Sequence, residues 1–354
     1  MTDIPVIGLF IQFIGFLIDQ LPFIAQASVA VAIPIALAGL SGVISERSGV
    51  VNIGLEGMML TAAFVAWVAG VVAVAVLPPE LQGRSAIFGL SWPLIIALIA
   101  ALLSGMTLAL LHAWLSISVR ADQIISGVII NIAALGLTGY LNTIISEQSP
   151  RGAGGFRDLD VPAQLTDLPV VGWLINALFD QGPIAISAII LIIVCQVLLF
   201  RTRWGLRTRA VGEHPRAAET VGINVVRLRY RNVIMSGAIA ALGGAYLSIE
   251  LTTSFQAEMS QGRGFIGLAA MIVGRWTPIG ALGAALLFAS STALGRAITF
   301  AAPKNDLGAL LDSIPPQFYD ALPYLVTMVI LAGLIGRSIP PAADGQPYER
   351  ESAA

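Results

Sequence analysis

Pro183-Ile-Ala-Ile-Ser-Ala-Ile-Ile-Leu-Ile-Ile-Val-Cys-Gln-Val-Leu-Leu-Phe200 contains no charged group, and Arg201 follows it at once. A helix that crosses a bilayer needs about 20 mostly apolar residues. The next segment has the opposite character. Arg201, Arg203, Arg207, Arg209, Arg216, Arg227, Arg229 and Arg231 all fall within residues 201–231. Basic loops stay on the inner side of a membrane, so this pair reads as a span that meets the cytoplasm.

The rest of the chain repeats the pattern. Apolar residues make up 56 % of 354 residues and charged residues 11 %, with a mean hydropathy of +0.85. A soluble domain carries roughly 25 % charged residues. The composition therefore argues against soluble enzymes and disordered chains, and a net charge of −2 leaves no basic field for nucleic acid. The expected fold class is all-α, a polytopic integral membrane protein of about ten transmembrane helices. The candidate spans are 4–20, 27–44, 56–77, 92–115, 123–146, 183–200, 232–250, 264–275, 279–300 and 322–338. The eighth is too short to cross alone and reads as part of a discontinuous helix. The N-terminal residues lack a basic n-region, so the first span is not read as a removed signal peptide.

With 201–231 inside, both termini are cytoplasmic. The inner side then holds the eight arginines above plus Arg47, Arg120, Arg275, Arg337 and Arg350. Arg84, Arg151, Arg157, Arg263, Arg296 and Lys304 lie outside, as does the long loop 147–182, whose apolar run from Val170 to Phe179 suits the membrane interface. Spans 2–5 and 7–10 are offset by five crossings and run in opposite senses, the arrangement of an inverted repeat. The two halves share no convincing sequence identity.

Single-residue counts narrow the chemistry. One cysteine, Cys195, allows no disulfide or cysteine metal site, and two histidines, His112 and His214, make a histidine metal site improbable. Lys304 is the only lysine, so no GxxxxGK[ST] phosphate loop exists. Any ATP-driven work belongs to another polypeptide.

The polar segment Gly42-Val-Ile-Ser-Glu-Arg-Ser-Gly-Val-Val-Asn-Ile-Gly-Leu-Glu-Gly57 joins spans 2 and 3. Its glycines break helical continuity, and Glu46, Arg47, Asn52 and Glu56 sit at or near membrane depth. Irregular backbone survives there only when protein or a water-filled cavity satisfies it. Either this segment lines or braces a polar path, or Glu46 and Arg47 form an interfacial pair and Glu56 caps a helix. Span 5 adds Gln123, Ser126, Asn131 and Asn142, which bond a neighbouring helix or touch a polar solute. Ser236, Ala240 and Gly244, like Gly280 to Ala285, are small-residue patterns for close helix packing.

On the basic side, Gly212-Glu-His-Pro-Arg-Ala-Ala-Glu-Thr-Val-Gly222 reads as one short helix. Pro215 suits its first position, Gly222 its C′ position, and Asn224 the cap of the next helix. The helix either docks into a groove on a partner or belongs to a solvated loop that only sets topology.

Three segments occur in order: Ser45 to Met58, Gly212 to Asn224, and Gly262-Arg-Gly-Phe-Ile-Gly-Leu-Ala-Ala-Met-Ile-Val-Gly-Arg-Trp276. Together they resemble the permease subunits of bacterial ABC importers in the branched-chain amino acid and simple-sugar superfamily, nearest its nucleoside-type branch. The resemblance covers about residues 25 to 338. It implies a transmembrane permease domain over 1–338 and a cytoplasmic tail over 339–354, in the bacterial inner membrane. It also implies separate ATPase subunits that use ATP and Mg, a second and different permease chain, and a solute-binding protein. This chain itself would need no cofactor. The helix 215–221 would be the coupling helix, with Gly212, Pro215, Arg216, Ala217, Ala218, Glu219 and Gly222 in its motif. His214 departs from the asparagine expected before the proline. Glu46, Asn52, Glu56, Gln123, Ser126 and Asn131 are the candidates for the path or gate. The expected solute is a nucleoside, with pentoses or hexoses as the alternative. An ion-coupled transporter, with Glu56 as its one plausible titratable group and Glu250 near an outer end, and an intramembrane hydrolase using His112 and Ser116, are the competing classes.

Overall fold

The computed structural model describes residues 5–85, 87–148, 152–159, 161–166, 168, 171–303, 305–329 and 338–349. Among them are fifteen α-helices and no strand. In chain order they are α1 Pro5–Asp19, α2 Leu21–Glu46, α3 Leu55–Val76, α4 Trp92–Ala113, α5 Gln123–Ser146, α6 Ala163–Thr166, α7 Gly172–Phe179 and α8 Pro183–Arg201. After these come α9 Arg203–Glu213, α10 Pro215–Thr220, α11 Val225–Tyr246, α12 Arg263–Val273, α13 Pro278–Ala301, α14 Asp306–Asp312 and α15 Pro316–Val329. Wider π-type turns extend α4 over Trp114–Val119 and α11 over Leu247–Leu251.

Among the described residues seven helices are long and apolar enough to cross a bilayer, α2, α3, α4, α5, α8, α11 and α13, which does not confirm the expected count of about ten. Each of the ten expected stretches does contain helix. The shortfall lies in three short pieces: α1 with 15 residues, α12 with 11 and α15 with 14. At 1.5 Å per residue the longest of these spans about 22 Å. The end of the tenth expected span, 330–337, lies outside the described residues, as do Arg151, Lys304, Arg337 and Arg350.

The chain divides into two units. The smaller comprises 1–32, 160–181 and 286–336. Its core gathers Phe16, Ala297, Ile298, Leu307, Leu311 and Tyr319. Of the apolar run expected at the interface, 172–179 forms α7 in this unit, and Val170 lies outside the described residues. The larger unit comprises 33–159, 182–285 and 337–354.

In the larger unit, burial sorts the helices. α2 from Ile33 to Ile44 is almost wholly enclosed, and α11 nearly so. By contrast, α5 exposes Ile125, Ile129, Ile132 and Tyr140, each about 60 % accessible. An apolar stripe of that size is stable against lipid tails and not against water. Close packing comes from the small residues. A Cβ added to Gly237 of α11 would stand 2.5 Å from the carbonyl oxygen of Gly105 in α4. One added to Gly267 of α12 would stand 2.4 Å from the Ala38 Cβ in α2.

Candidate functional site

The elbow between α2 and α3 has no regular structure from Arg47 to Gly54. Buried peptide groups need partners, and side chains from α4 and α5 supply them. Gln123 Oε1 accepts from Val51 N at 2.8 Å. His112 Nε2 lies 2.9 Å from Val51 O and its Nδ1 lies 3.0 Å from Ser126 Oγ. A carbonyl only accepts, so Nε2 carries the proton and Ser126 donates to Nδ1. Asn131 Oδ1 accepts from Gly57 N at 2.7 Å while its Nδ2 donates to Ile53 O at 3.0 Å. Asn52 Nδ2 donates to Ser236 Oγ at 3.3 Å, and its Oδ1 is buried without a partner. Positions 123, 126 and 131 share one face of α5, and that face staples the elbow. The His112 ring is committed to Val51 and Ser126, and Ser116 Oγ has no partner, so no His112–Ser116 dyad forms.

Two carboxylates cap helices from a distance. Glu56 Oε1 accepts from Gly262 N at 2.8 Å and Oε2 from Gly264 N at 2.6 Å, which caps α12. Glu250 Oε2 and Oε1 accept from Ile184 N at 2.7 Å and Ala185 N at 2.9 Å, which caps α8. Helix N-termini favour negative charge and leave amides unpaired. Glu56 therefore caps α12 rather than its own helix.

Glu46 and Arg47 reach the second tight turn, Gly274 to Thr277, between α12 and α13. Trp276 Nε1 donates to Glu46 Oε2 at 2.6 Å, and Arg47 Nε donates to Trp276 O at 2.8 Å. Arg275 and Trp276 both have positive φ, 54° and 51°. The two non-glycine left-handed residues are thus held by the first elbow.

The basic segment 201–231 is not a loop. It contains α9, α10 and the start of α11. Thr202 caps α9, its Oγ1 accepting from Gly205 N at 3.3 Å. Pro215 opens α10, Gly222 follows it with φ of +84°, and Asn224 Oδ1 accepts from Arg227 N at 2.9 Å. His214 occupies the cap position of α10 and makes no side-chain cap bond. Ala218 faces inward against Val211, Val225 and Tyr348. Arg216, Ala217, Thr220 and Val221 are exposed, Val221 at 74 %.

Residues 338–349 form a strap across this face. Ala343 N donates to Gly212 O at 2.8 Å, and Ala342 N to Glu213 Oε2 at 3.1 Å. The Tyr348 hydroxyl donates to the Glu219 carboxylate, and Arg120 pairs with Glu349 at 2.7 Å. Arg229, 1 % exposed, donates to Ser48 O and to Gln346 O, each at 3.0 Å. One arginine thus joins elbow, α11 and strap.

The family described as branched-chain amino acid transport system / permease component matches residues 24–331. The chain belongs to this family. The permease is 39 % identical to the guanosine ABC transporter permease protein NupQ of Bacillus subtilis, over 94 % of this chain and 98 % of that one. It is 34 % identical to the nucleoside ABC transporter permease protein NupC of Lactococcus lactis, over 94 % and 98 %. TsgC13 of Haloferax volcanii, named as a proposed glucose ABC transporter permease, is 33 % identical over 92 % and 97 %. No solved structure matches the chain.

Of the permease's expected site residues, the structure unites Asn52, Gln123, Ser126 and Asn131 in the elbow network. It places Glu56 at α12 and Glu46 at the second turn. Sequence reasoning missed His112 as an elbow ligand, Arg229 as an interior residue, and the strap. The His112–Ser126 spacing offered no helical signal, because the two residues sit on different helices.

The strap carries a pH dependence. Burial pushes Asp344 up to about 6, while its hydrogen bonds to Glu46 and the Gly345 backbone and the charge of Arg229 pull it down. The ordinary value is about 4, so the docked strap holds the proton more tightly than the free chain. The contribution of Asp344 to docking is then fullest below about pH 4 and is lost as pH rises through about 6. Hydrogen exchange at 340–348, corrected for intrinsic rate, should speed up between pH 5 and 8. Asp344→Asn should flatten that rise. Equal protection at both pH values in the unaltered permease would contradict it.

Proposed function

We propose that this permease is the membrane-spanning subunit of an ATP-driven importer and forms the path for nucleosides. Its 39 % identity to a guanosine permease across nearly the full length of both chains carries this reading. Two separate ATPase subunits would bind ATP and Mg, a second permease chain would complete the pore, and a binding protein would deliver the solute. The lack of a phosphate-loop lysine fits this division of labour. The basic face, both termini and the strap lie in the cytoplasm, with 147–182 outside, and the membrane is the bacterial inner membrane. The polar elbow braces the path through the contacts of Glu46, Asn52, Glu56, Gln123, Ser126 and Asn131. Reconstituted with its partners, the complex should show ATP-dependent uptake of labelled guanosine. Uptake of glucose in its place would favour the sugar reading that the TsgC13 relative supports.

Within this reading α10 is the coupling helix, and its exposed side meets the ATPase. The contact residues are Arg216, Ala217, Thr220 and Val221, since Ala218 is covered by Tyr348. A cleft of about 670 Å³ beside them is lined by His214, Arg216, Ala217, Tyr348 and Glu349. Val221→Asp puts a charge on the exposed apolar tip, where a surface change costs the fold within about 0.5 kcal/mol. The expected result is normal insertion with at least about tenfold weaker co-purification of the ATPase. Full association would remove α10 from the interface.

A further inference from the structure

Residues 252–262 join the end of α11 to α12 without forming a helix that spans, and they run beside α3. Contacts with α3 fix their depth. At the lower end the Glu56 carboxylate holds Gly262 N and Gly264 N. Higher up, Phe255 packs edge-on against Phe64, ring centres 5.1 Å apart, and lies 6.3 Å from Trp67. On a helix rising 1.5 Å per residue, Phe64 and Trp67 stand about 12 and 16 Å beyond Glu56. The segment therefore descends along more than two turns of a membrane-crossing helix.

Its two sides differ. Phe255, Met259 and Ser260 are buried against the protein, whereas Thr253, Gln256, Glu258 and Gln261 are exposed. Three of these four are left-handed, with φ of 59° at Thr253, 59° at Glu258 and 48° at Gln261. Non-glycine residues occupy that region at a cost of about 1 kcal/mol or more each, and such strain gathers at binding sites. Here it accompanies a loop that turns a carboxylate and two amides outward. A carboxylate facing acyl chains costs a few kcal/mol, and irregular backbone at this depth persists only in protein or along a water-filled cavity. The inner side is already in protein, so the outer side borders water. The N-terminus of α12 is not itself the ligand site, because Glu56 occupies it.

We propose that 252–262 is the solute-contacting wall of the translocation path and takes a nucleoside there. Resting on the function proposed above, this assigns stacking of the base to the half-buried Trp67 beside Phe255, the base edge to Gln256 and the ribose hydroxyls to Glu258, with Gln261 at the lower end of the wall near Glu56. A carboxylate accepts from vicinal hydroxyls and side-chain amides both donate and accept. Base stacking on an aromatic ring is sequence-tolerant, which suits a carrier of several nucleosides.

The test uses the reconstituted complex in a Cys195→Ser background, where the buried thiol is removed. Glu258→Cys and Gln261→Cys should both react with a hydrophilic thiol reagent, and guanosine should slow the reaction at least about fivefold. Glu258→Gln should raise the KM for guanosine about tenfold at unchanged expression, and Trp67→Leu should do so for purine and pyrimidine nucleosides alike. Thiols that stay unreactive in a transporting complex overturn the proposal, as does unprotected labelling together with a normal KM in Glu258→Gln. If the complex moves glucose and no nucleoside, and glucose protects the labelled cysteines, the wall survives and the nucleoside reading fails.

Discussion

Gly244→Val yields no folded permease. A Cβ at this position of α11 would lie 2.1 Å from the carbonyl oxygen of Met59 and 2.9 Å from the amide nitrogen of Ala63, both backbone atoms of α3. Backbone cannot swing aside as a flexible side chain can. Relief requires α11 to move away from α3, which would also disturb Asn52–Ser236 at the elbow. Overpacking a core typically costs 1–3 kcal/mol, occasionally more, and a clash between two backbones belongs at the upper end. Monodisperse protein extracted in mild detergent should fall at least about tenfold below the unaltered level. Gly283→Ala, whose added Cβ meets nothing within 4 Å, is the control and should express normally. A normal elution profile for Gly244→Val would show that the two helices are not in close contact.

Glu56→Ala has the second-largest effect, and it falls on transport. The carboxylate is the bond acceptor for both Gly262 N and Gly264 N. Each hydrogen bond to a charged group contributes roughly 1.5–3 kcal/mol, and an amide left buried without a partner costs about 1–3. The loss frees the end of α12 and the whole of 252–262 above it. Guanosine uptake should drop at least about tenfold at matched expression, with a lower melting temperature in detergent. Glu56→Gln keeps one acceptor oxygen and should fall between. Full uptake and unchanged melting in Glu56→Ala would make the cap dispensable.

Seven of the expected spans were legible because long apolar runs have no other stable use at this composition. The half-helix α12 was legible too, since 264–275 is too short to cross a bilayer. The turn after α10 was foretold by Gly222, the residue type that takes φ of +84° at little cost. Three features were not legible, each for a physical reason. α9 was hidden by its arginines, which read as loop, although Thr202 supplied an N-cap signal. Glu56 and Glu250 cap helices far away in sequence, and no local spacing reports a partner more than sixty residues away. The left-handed backbone at Thr253, Glu258 and Gln261 falls on residues that do not prefer it, so tertiary structure alone imposes it.

The strap bears on the order in which the protein is made. Residues 338–349 follow every described helix, so a ribosome releases them after the spans have entered the membrane. Until then Tyr348 cannot cover Ala218, Gln346 cannot receive Arg229, and Glu349 cannot meet Arg120. The basic face reaches its finished shape only when synthesis has passed Glu349. A half-made chain therefore presents an incomplete surface at this face.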